Sequence, residues 1–269
     1  MLTRRQMGRR VLRVVLVLAL LGGLALLYAA LIEPAWIEVT HHRVTLAGLS
    51  KELKIAHLTD LHIREWGRRE QKLLRLLEAE QPDLIVITGD TASPGVTDAV
   101  RAQLLSKLRA PLGVYATRGN WEFWAPMEDE ESLYRNAGIQ VLLNGSHKVA
   151  DAVWLVGLDD ALAGTPDLAQ AFTGLPPGAP CVTLFHSPSI ASEIGGKCPL
   201  ALTGHTHGGQ VRLPGLGALW LPPGSGPYEA GWYDVQGTRM YVSRGLGNSL
   251  LDLRFLCRPE LAIITLSGR

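Results

Sequence analysis

Four of the eight histidines in the chain share a setting that suits metal binding. They lie in polar, glycine-flanked positions where apolar runs end: His62, His186, His205 and His207. A single histidine in such a place is more often structural or surface-exposed than a ligand. These four gain weight as a set because carboxylate and amide side chains occupy comparable positions elsewhere in the chain.

Two short motifs place potential ligands at alternate positions. Asp60 and His62 are separated by one leucine, and residues two apart on an extended segment point to the same side. His205 and His207 repeat this spacing inside the glycine-rich stretch 204–209. Glycine lets the backbone bend tightly, so we expect both imidazoles of this stretch to reach a shared point.

Asp90 and Asn120 extend this set, and each directly follows a glycine at a predicted strand end. With the carboxylate of Asp60 and the imidazoles they make a mixed oxygen and nitrogen ligand set. Such a set suits manganese, iron or zinc better than a metal that prefers thiolates. The residue types therefore predict a metal site assembled from distant parts of the chain.

The apolar runs before these residues predict a mainly parallel sheet. Strands over 53–58, 84–88 and 113–117 alternate with helices over 70–80 and 96–108. Short apolar strands that alternate with helices are typical of a parallel sheet covered on both faces. Ligands bind at the carboxyl ends of such strands, so the polar residues that follow them should converge: Asp60, Asp90 and Asn120.

Shorter links and antiparallel pairing are predicted for the second half. Two further short strands are predicted around His41 and His42, over 36–40 and 43–46. The other predicted strands are 153–158, 181–185 and 200–202, followed by antiparallel strands over 231–235, 239–243 and 261–266. We therefore predict an α/β fold of two packed mixed β-sheets flanked by helices, preceded by one transmembrane helix.

These motifs resemble those of the calcineurin-like metallophosphoesterase family over about 53–266. They are Asp-x-His (60–62), Gly-Asp (89–90), Gly-Asn (119–120), Phe-His-Ser-Pro (185–188) and Gly-His-x-His (204–207). One such motif is weak, but five in the family's order make chance agreement improbable. The stretches 241–247 and 258–260 look like the branch with an N-terminal membrane segment, which includes exported phosphodiesterases and enzymes similar to UDP-2,3-diacylglucosamine pyrophosphatase. The resemblance implies a four-layer α/β/β/α sandwich.

The resemblance also implies a role for each residue. One metal would be held by Asp60, His62 and His207, the other by Asn120, His186 and His205, with Asp90 bridging both. The cofactors implied are two divalent ions, manganese, iron or zinc. Ions ~3.5–4 Å apart bind phosphoryl oxygens and lower the pKa of a bridging water toward ~7, and the resulting hydroxide attacks phosphorus. The predicted catalytic residues are Asp90, Asn120 and Arg118.

One position departs from the family's pattern. A histidine usually follows the Gly-Asn motif and protonates the leaving group, but Trp121 stands there and its indole N–H is only a neutral donor. Losing a positioned acid typically costs ~10²–10⁴-fold in rate. Either the leaving group needs no proton, as in a pyrophosphate or an aryl ester, or another group substitutes: Arg118, Glu122 or His147.

The N-terminal segment 1–35 predicts a membrane anchor ahead of a body over 36–269. Residues 14–32 carry no charge and no proline, and as a helix they would span ~28 Å, close to the thickness of the hydrocarbon layer. Arginines precede this run, which by the positive-inside bias places the body on the extracytoplasmic side: Arg4, Arg5, Arg9, Arg10 and Arg13. A cleaved secretory signal and a twin-arginine export signal at 3–7 are the alternatives.

Composition limits the partners. A net charge of +1 gives no reason to expect nucleic acid, and nothing indicates an oligomeric state. The three cysteines, Cys181, Cys198 and Cys257, form no CxxC pair and leave an odd count. We therefore expect buried small apolar side chains rather than a disulfide framework or a thiolate zinc site.

The function expected is hydrolysis of a phosphodiester or pyrophosphate bond, on a lipid- or nucleotide-linked substrate such as UDP-2,3-diacylglucosamine. An anchor favours a membrane substrate, but that lipid precursor is made on the cytoplasmic side, opposite to the predicted side of the body. The alternative is a catalytically inactive metal-binding scaffold or sensor. Six aromatic residues either dock a lipid or pack in the core: Trp121, Phe123, Trp124, Trp220, Tyr228 and Trp232.

Overall fold

The computed structural model describes residues 4–91, 93–126, 129–150 and 153–268. The α-helices among these residues are α1 (Arg4–Leu27), α2 (Arg68–Glu80), α3 (Asp98–Leu105), α4 (Asn120–Trp124), α5 (Glu130–Ala137), α6 (Leu168–Ala171) and α7 (Ala191–Ile194). The strands are β1 (Glu38–Thr45), β2 (Leu53–Leu58), β3 (Leu84–Thr88), β4 (Val114–Thr117), β5 (Ile139–Val141), β6 (Gly145–Val149), β7 (Val153–Gly157), β8 (Cys181–Leu184), β9 (Leu200–Thr203), β10 (Arg212–Leu213), β11 (Gly217–Ala218), β12 (Gly231–Val235), β13 (Thr238–Val242) and β14 (Glu260–Ser267).

Two six-stranded mixed sheets form the centre of the body. The first has the order β1-β14-β2-β3-β4-β5, in which β2 to β5 are parallel and β14 runs antiparallel to β2. The second has the order β12-β13-β9-β8-β7-β6, with antiparallel strands only at its edges. The predicted α/β class is confirmed. The antiparallel prediction for β13 is only half right, because β13 pairs in parallel with β9.

A shared apolar core joins the inner faces of the two sheets. Ile55 from the first sheet and Leu155 from the second are both fully buried there. The outer face of the first sheet packs Ile85 against Leu73 of α2, and Ile194 of α7 packs on the outer face of the second. Burial on both faces explains why the central strands are nearly unbroken apolar runs. The layers run helix, sheet, sheet, helix, as the family resemblance implied.

Strand β1 corrects the prediction of two short strands around His41 and His42. It is one continuous strand, paired in parallel with β14 along its whole length. The ring of His42 packs between Trp232 and Tyr241, and its Nε2 lies 3.0 Å from the Tyr241 hydroxyl. The polar histidine pair therefore does not interrupt the strand, because one ring finds partners on the neighbouring sheet.

The N-terminal helix is long and apolar enough to cross a membrane. Helix α1 continues as a π-helical turn over Tyr28–Ile32 and a 3-10 turn over Glu33–Ala35. The segment Arg4–Ala35 has a mean hydropathy of 2.7 in its most apolar part, and only 6% of that part is buried. Its leucine and valine side chains are therefore exposed in the way that a lipid-facing helix requires.

The end of this segment is fastened to the body. Glu33 is fully buried, and its carboxylate accepts hydrogen bonds from the backbone N–H groups of Leu256 (2.9 Å) and Cys257 (2.5 Å). The backbone N–H of Arg254 donates to the carbonyl of Ala29 at 2.9 Å. The stretch 254–257 thus forms a clasp between the apolar helix and the body.

The structure corrects the expectation for the cysteines. Cys181 and Cys198 form a disulfide with a Cα–Cα distance of 5.4 Å, and Cys257 is free and buried. Cys181 opens β8, and Cys198 lies just before the neighbouring parallel strand β9. The crossover through α7 brings the two together, and sequence spacing alone does not reveal that contact.

The disulfide can be tested by counting thiols. Oxidised protein unfolded in denaturant without reductant should expose one reactive thiol per chain, and three after reduction. A double Cys181→Ala/Cys198→Ala variant should lose about 3 kcal/mol of unfolding free energy, because the bond closes a loop of moderate length. Cys257→Ala should leave no reactive thiol in the oxidised protein. Three reactive thiols without reductant would contradict the pairing.

Candidate metal centre

The loops that follow five strands bring all seven predicted ligands to one edge of the two sheets. In the first sheet, Asp60 and His62 follow β2, Asp90 follows β3 and Asn120 opens α4 just after β4. In the second sheet, the corresponding loops follow β8 and β9 and carry the remaining three: His186, His205 and His207. Every one of the seven side chains is buried. The convergence expected from the strand ends is therefore present.

Three side chains form a first cluster, Asp60, His62 and His207, whose ligand atoms all lie within 4.8 Å of one another. His207 Nε2 lies 3.2 Å from Asp60 Oδ1 and 3.2 Å from His62 Nε2. The two imidazole rings are stacked with their centroids 5.0 Å apart. One carboxylate and two imidazoles at this spacing can hold a divalent cation.

A second cluster consists of Asp90, His186 and His205, again within 4.8 Å. His186 Nε2 lies 3.1 Å from Asp90 Oδ2 and 3.2 Å from His205 Nδ1. Asp90 Oδ2 is also 3.6 Å from His62 Nε2 of the first cluster. Asp90 therefore lies between the clusters, where a carboxylate can bridge two cations.

The side-chain oxygen of Asn120 indicates whether a cation fits the second cluster. Its Oδ1 atom is buried and has no hydrogen-bond partner among the described residues. An unpaired buried amide oxygen costs about 1–3 kcal/mol, and a cation removes that cost. Asn120 also lines the same cavity as Asp90 and His205. The orphaned oxygen and the mixed donor set fit a divalent metal.

Backbone carbonyls set the orientation of two imidazoles. His186 Nδ1 lies 2.7 Å from the carbonyl of Thr88, and His205 Nε2 lies 2.7 Å from the carbonyl of Pro223. Because a carbonyl only accepts, these nitrogens carry the hydrogen. The other nitrogen of each ring faces the cluster, where it can offer a lone pair to a cation, as in established metal sites.

Five of the seven predicted ligands have a left-handed backbone, with φ between 40° and 71°: Asp60, His62, Asp90, His205 and His207. Residues other than glycine rarely adopt this region, and doing so costs of order 1–3 kcal/mol. The reason expected for the convergence of Asp60 and His62, an extended segment, is therefore wrong. Tight turns, rather than the pleat of a strand, aim both side chains at the cluster.

Burial sets the electrostatics of the cluster. It raises the pKa of Asp60 to about 6 and also raises that of Asp90. Burial opposes the charged form of His186, but the carboxylates of Asp90 and Asp60 outweigh it and hold its pKa well above the usual range. Burial lowers the pKa of His205 to about 4. Without a cation the cluster retains protons, which a metal must displace.

Glu122 has a structural role that the sequence reasoning missed. Its carboxylate accepts the backbone N–H groups of Asp90 (2.9 Å), Thr91 (2.8 Å) and Gly119 (2.8 Å), and the Thr91 hydroxyl (2.8 Å). It therefore ties together the loops after β3 and β4 and is not placed as the substitute acid. The signal was its position three residues after Gly119, the spacing of a helix capping box.

The other two candidate acids have partners outside the clusters. Arg118 Nε and a terminal guanidinium nitrogen pair with the carboxylate of Glu130 at 2.9 and 2.7 Å. His147, on edge strand β6, contacts Gln140 at 3.2 Å and its ring lies against Tyr115. Neither lines the cavity above the clusters. The catalytic role of Arg118 stays a prediction.

A cavity of about 800 Å³ opens above the clusters. Its apolar walls are formed by Trp121, Trp124, Leu162, Val211, Leu219, Trp220, Pro222, Pro223, Leu250 and Leu251. Trp121 contacts the edge of His62, and Trp124 and Trp220 are 56% and 53% exposed. By contrast, Tyr228 and Trp232 pack against other rings, and Phe123 lies under Arg118. The six aromatic residues thus divide between cavity and packing.

The backbone of Gly119 lies very close to two proposed ligands, so a substitution at this glycine tests the site. A Cβ at Gly119 would lie less than 3.0 Å from Asp90 Oδ1 and from the ring of His186, although the φ of Gly119 suits any residue. Gly119→Ala should therefore lower the bound metal per chain about tenfold at limiting metal, measured by elemental analysis after dialysis. Gly145→Ala is the matched control, because its nearest neighbour atom would be 3.7 Å away. Equal metal content in both variants would contradict this geometry.

Comparison with known proteins places this geometry in a family. Residues 53–209 match the calcineurin-like phosphoesterase family. The chain is 32% identical over 281 residues to the uncharacterized metallophosphoesterase YkuE of Bacillus subtilis (strain 168), covering 99% of this chain and 98% of that protein. It is 30% identical over 250 residues to phosphodiesterase YaeI of Escherichia coli (strain K12), covering 87% and 90%.

A third relative is named as a transmembrane protein. The chain is 30% identical over 290 residues to a "transmembrane protein with metallophosphoesterase domain" of Bos taurus, covering 98% of this chain and 64% of that protein. The matches to YkuE and to the bovine protein cover nearly the whole of this chain, the N-terminal apolar helix included. With both the motif region and nearly the whole chain matched, this protein belongs to the calcineurin-like phosphoesterase family.

Proposed function

We propose that this protein is a two-metal phosphoesterase that hydrolyses a phosphodiester or pyrophosphate bond of a lipid- or nucleotide-linked substrate. The observation that carries the proposal is the pair of ligand clusters that meet at Asp90. Family membership supports hydrolysis of phosphoesters in general. The cavity above the clusters provides room for a substrate larger than inorganic phosphate.

The ligand assignment follows the clusters. One ion would be held by Asp60, His62 and His207, and the second by Asn120, His186 and His205, with Asp90 shared. Manganese, iron and zinc all suit this oxygen and nitrogen set. When bound, two such ions supply Lewis acidity at the phosphoryl oxygens and lower the pKa of a water between them toward ~7.

The protein's own groups hold this arrangement rigid. The backbone N–H of Trp121 donates to Asp90 Oδ1 at 2.8 Å, which leaves Oδ2 to face His186 and His62. The carbonyls of Thr88 and Pro223 fix two imidazoles from behind. A preorganised site needs little reorganisation during reaction, and such preorganisation supplies much of the rate acceleration of enzymes.

Trp121 stands where a histidine would protonate the leaving group, so it bears on which leaving groups can depart. Among the described residues that line the cavity, the ionisable side chains are Asp90, His205 and His207, which are all assigned to metals. Within this described lining, no further acid is left to protonate an alkoxide. We therefore favour a leaving group of low pKa, such as the phosphate of a pyrophosphate bond or an aryl oxide.

Four observations support a membrane protein with an extracytoplasmic body. The N-terminal helix is long and apolar enough to span a bilayer, and a bovine relative is named a transmembrane protein. Arginines precede the helix, which favours a cytoplasmic N-terminus. The Cys181–Cys198 disulfide is typical of oxidising compartments outside the cytosol. This side disfavours UDP-2,3-diacylglucosamine, a cytoplasmic precursor, as the substrate.

A catalytically inactive scaffold or sensor remains the second candidate, and Trp121 is the observation that favours it. Against it stands the complete set of seven predicted ligands, all buried at one edge of the sheets. An inactive relative would be free to lose some of them. The two candidates differ in one measurable property, turnover by a protein that holds two metals.

Turnover of a chromogenic diester decides between them. The full chain in detergent, loaded with manganese, iron or zinc, should hydrolyse bis-p-nitrophenyl phosphate, and elemental analysis should find two ions per chain. Asp90→Asn should reduce turnover to background, because it removes the shared carboxylate. A wild-type preparation that holds two ions but shows no turnover with any of the three metals would favour the scaffold.

Substitution of Trp121 tests the leaving group. Trp121→His should raise the rate on a dialkyl phosphodiester about 10²-fold, since it restores a group that can donate a proton. The rate on a pyrophosphate diester should change less than about threefold. Trp154→His, on the outer side of the second sheet, is the control. A similar rise on both substrates would contradict the proposed leaving group.

A further inference from the structure

The cavity walls leave few polar groups for a ligand to bind. Gln210 Nε2 donates to the carbonyl of Leu251, and its Oε1 accepts the backbone N–H of Ser249. The Thr206 hydroxyl donates to the carbonyl of Glu229. The other lining side chains are metal-site residues, apolar groups, one serine and three tryptophans, each with a single indole N–H. A nucleotide base needs hydrogen-bond partners, whereas an acyl chain needs only this apolar surface.

Exposed apolar residues concentrate around the same cavity. Outside the segment 4–35, the large apolar side chains that are at least 36% exposed among the described residues are Trp36, Phe123, Trp124, Leu162, Leu213, Leu216, Leu219, Trp220, Leu250, Leu251 and Leu256. Six of them line the cavity and are called the rim here: Trp124, Leu162, Leu219, Trp220, Leu250 and Leu251. An exposed apolar patch of this kind is typical of a membrane or protein interaction site.

The rim is joined to the end of the apolar helix. Leu250 and Leu251 lie just before the clasp at 254–257, which binds Ala29 and Glu33. The backbone N–H of Arg212 donates to the carbonyl of Phe255 at 2.9 Å, which ties the β10–β11 hairpin to the clasp. The ring of Phe255 in turn contacts Tyr28 at the end of the anchor. The rim therefore lies on a short connection to the point where the chain leaves the bilayer.

We propose that the rim docks into the bilayer and that the substrate is a phosphoester with an acyl chain, which enters from the membrane with its phosphate at the metal clusters and its chain in the cavity. The inference rests on the proposed function and names its substrate class. Trp and Leu side chains are suited to this depth, because tryptophan favours the interface and leucine the hydrocarbon. The hydrolysed bond lies at the membrane surface, where headgroup phosphates lie.

The length of the substrate's alkyl group directly tests whether the cavity binds an acyl chain. The full chain in nanodiscs is assayed with p-nitrophenyl alkyl phosphodiesters that carry methyl, octyl and hexadecyl groups, so the leaving group stays constant. We expect kcat/KM to rise at least tenfold from methyl to octyl, because each buried methylene contributes favourably. A double Leu250→Ser/Leu251→Ser variant should lose most of that rise, measured as the ratio of kcat/KM for the octyl ester to that for the methyl ester.

Leu216→Ser is the matched control, because Leu216 is 73% exposed but does not line the cavity. It should keep the full dependence on chain length. Hydrolysis of all three esters at equal rates would overturn the acyl-chain inference and leave the phosphoesterase function intact. No hydrolysis of any ester with manganese, iron or zinc would instead overturn the proposed function.

Docking of the rim is tested without catalysis. Tryptophan fluorescence of the full chain is measured in nanodiscs that contain phosphatidylcholine brominated on its acyl chains. Trp220→Phe should reduce the quenched share of the emission, since Trp220 is half exposed on the rim. Trp154→Phe, which removes a tryptophan packed on the second sheet, should not. An unchanged quenched share in Trp220→Phe would overturn docking.

Discussion

The structure depends on holding together side chains that would separate in water. Two carboxylates, Asp60 and Asp90, are buried side by side with four imidazoles. In two histidine pairs the ring nitrogens face each other at 3.2 Å. Burying unpaired charge costs several kcal/mol, and cations held between these groups would convert that cost into attraction. The loops that carry five of these side chains have the left-handed backbone that brings them together.

The scaffold can impose that geometry because its sheets are buried on both faces and rigid. The ligands leave the strands in tight turns, and glycines allow the turns to touch: Gly89, Gly119, Gly204 and Gly245 each approach a ligand or its neighbour too closely for a side chain. Glu122 then locks two of these turns through their N–H groups. Rigid strands and close turns together hold the proposed metal ligands where a flexible loop could not.

Sequence reasoning reached the fold class and the seven clustered residues because both have local signals. A strand is an apolar run, and Asp60, Asp90 and Asn120 follow such runs directly. The parts it missed depend on contacts between distant residues. Nothing near Cys181 indicates Cys198, and the continuity of β1 comes from its pairing with β14, the last strand of the chain. The left-handed backbone of the ligands has only a weak signature, since Asp and His adopt it more often than most residues but not usually.

The buried carboxylate of Glu33 has a practical consequence for any soluble fragment of this protein. Its partners, the N–H groups of Leu256 and Cys257, belong to a stretch whose Arg254 guanidinium lies 3.4 Å from Nδ1 of His207. A truncation that removed everything before residue 36 would leave those two N–H groups without their hydrogen-bond acceptor. They lie in the same stretch as the Arg254 guanidinium that contacts His207. A truncation just before Tyr28 would delete the apolar helix α1 and still keep the carboxylate. The best first residue of a stable soluble fragment is therefore set by the hydrogen bonds of Glu33 rather than by the end of the apolar stretch.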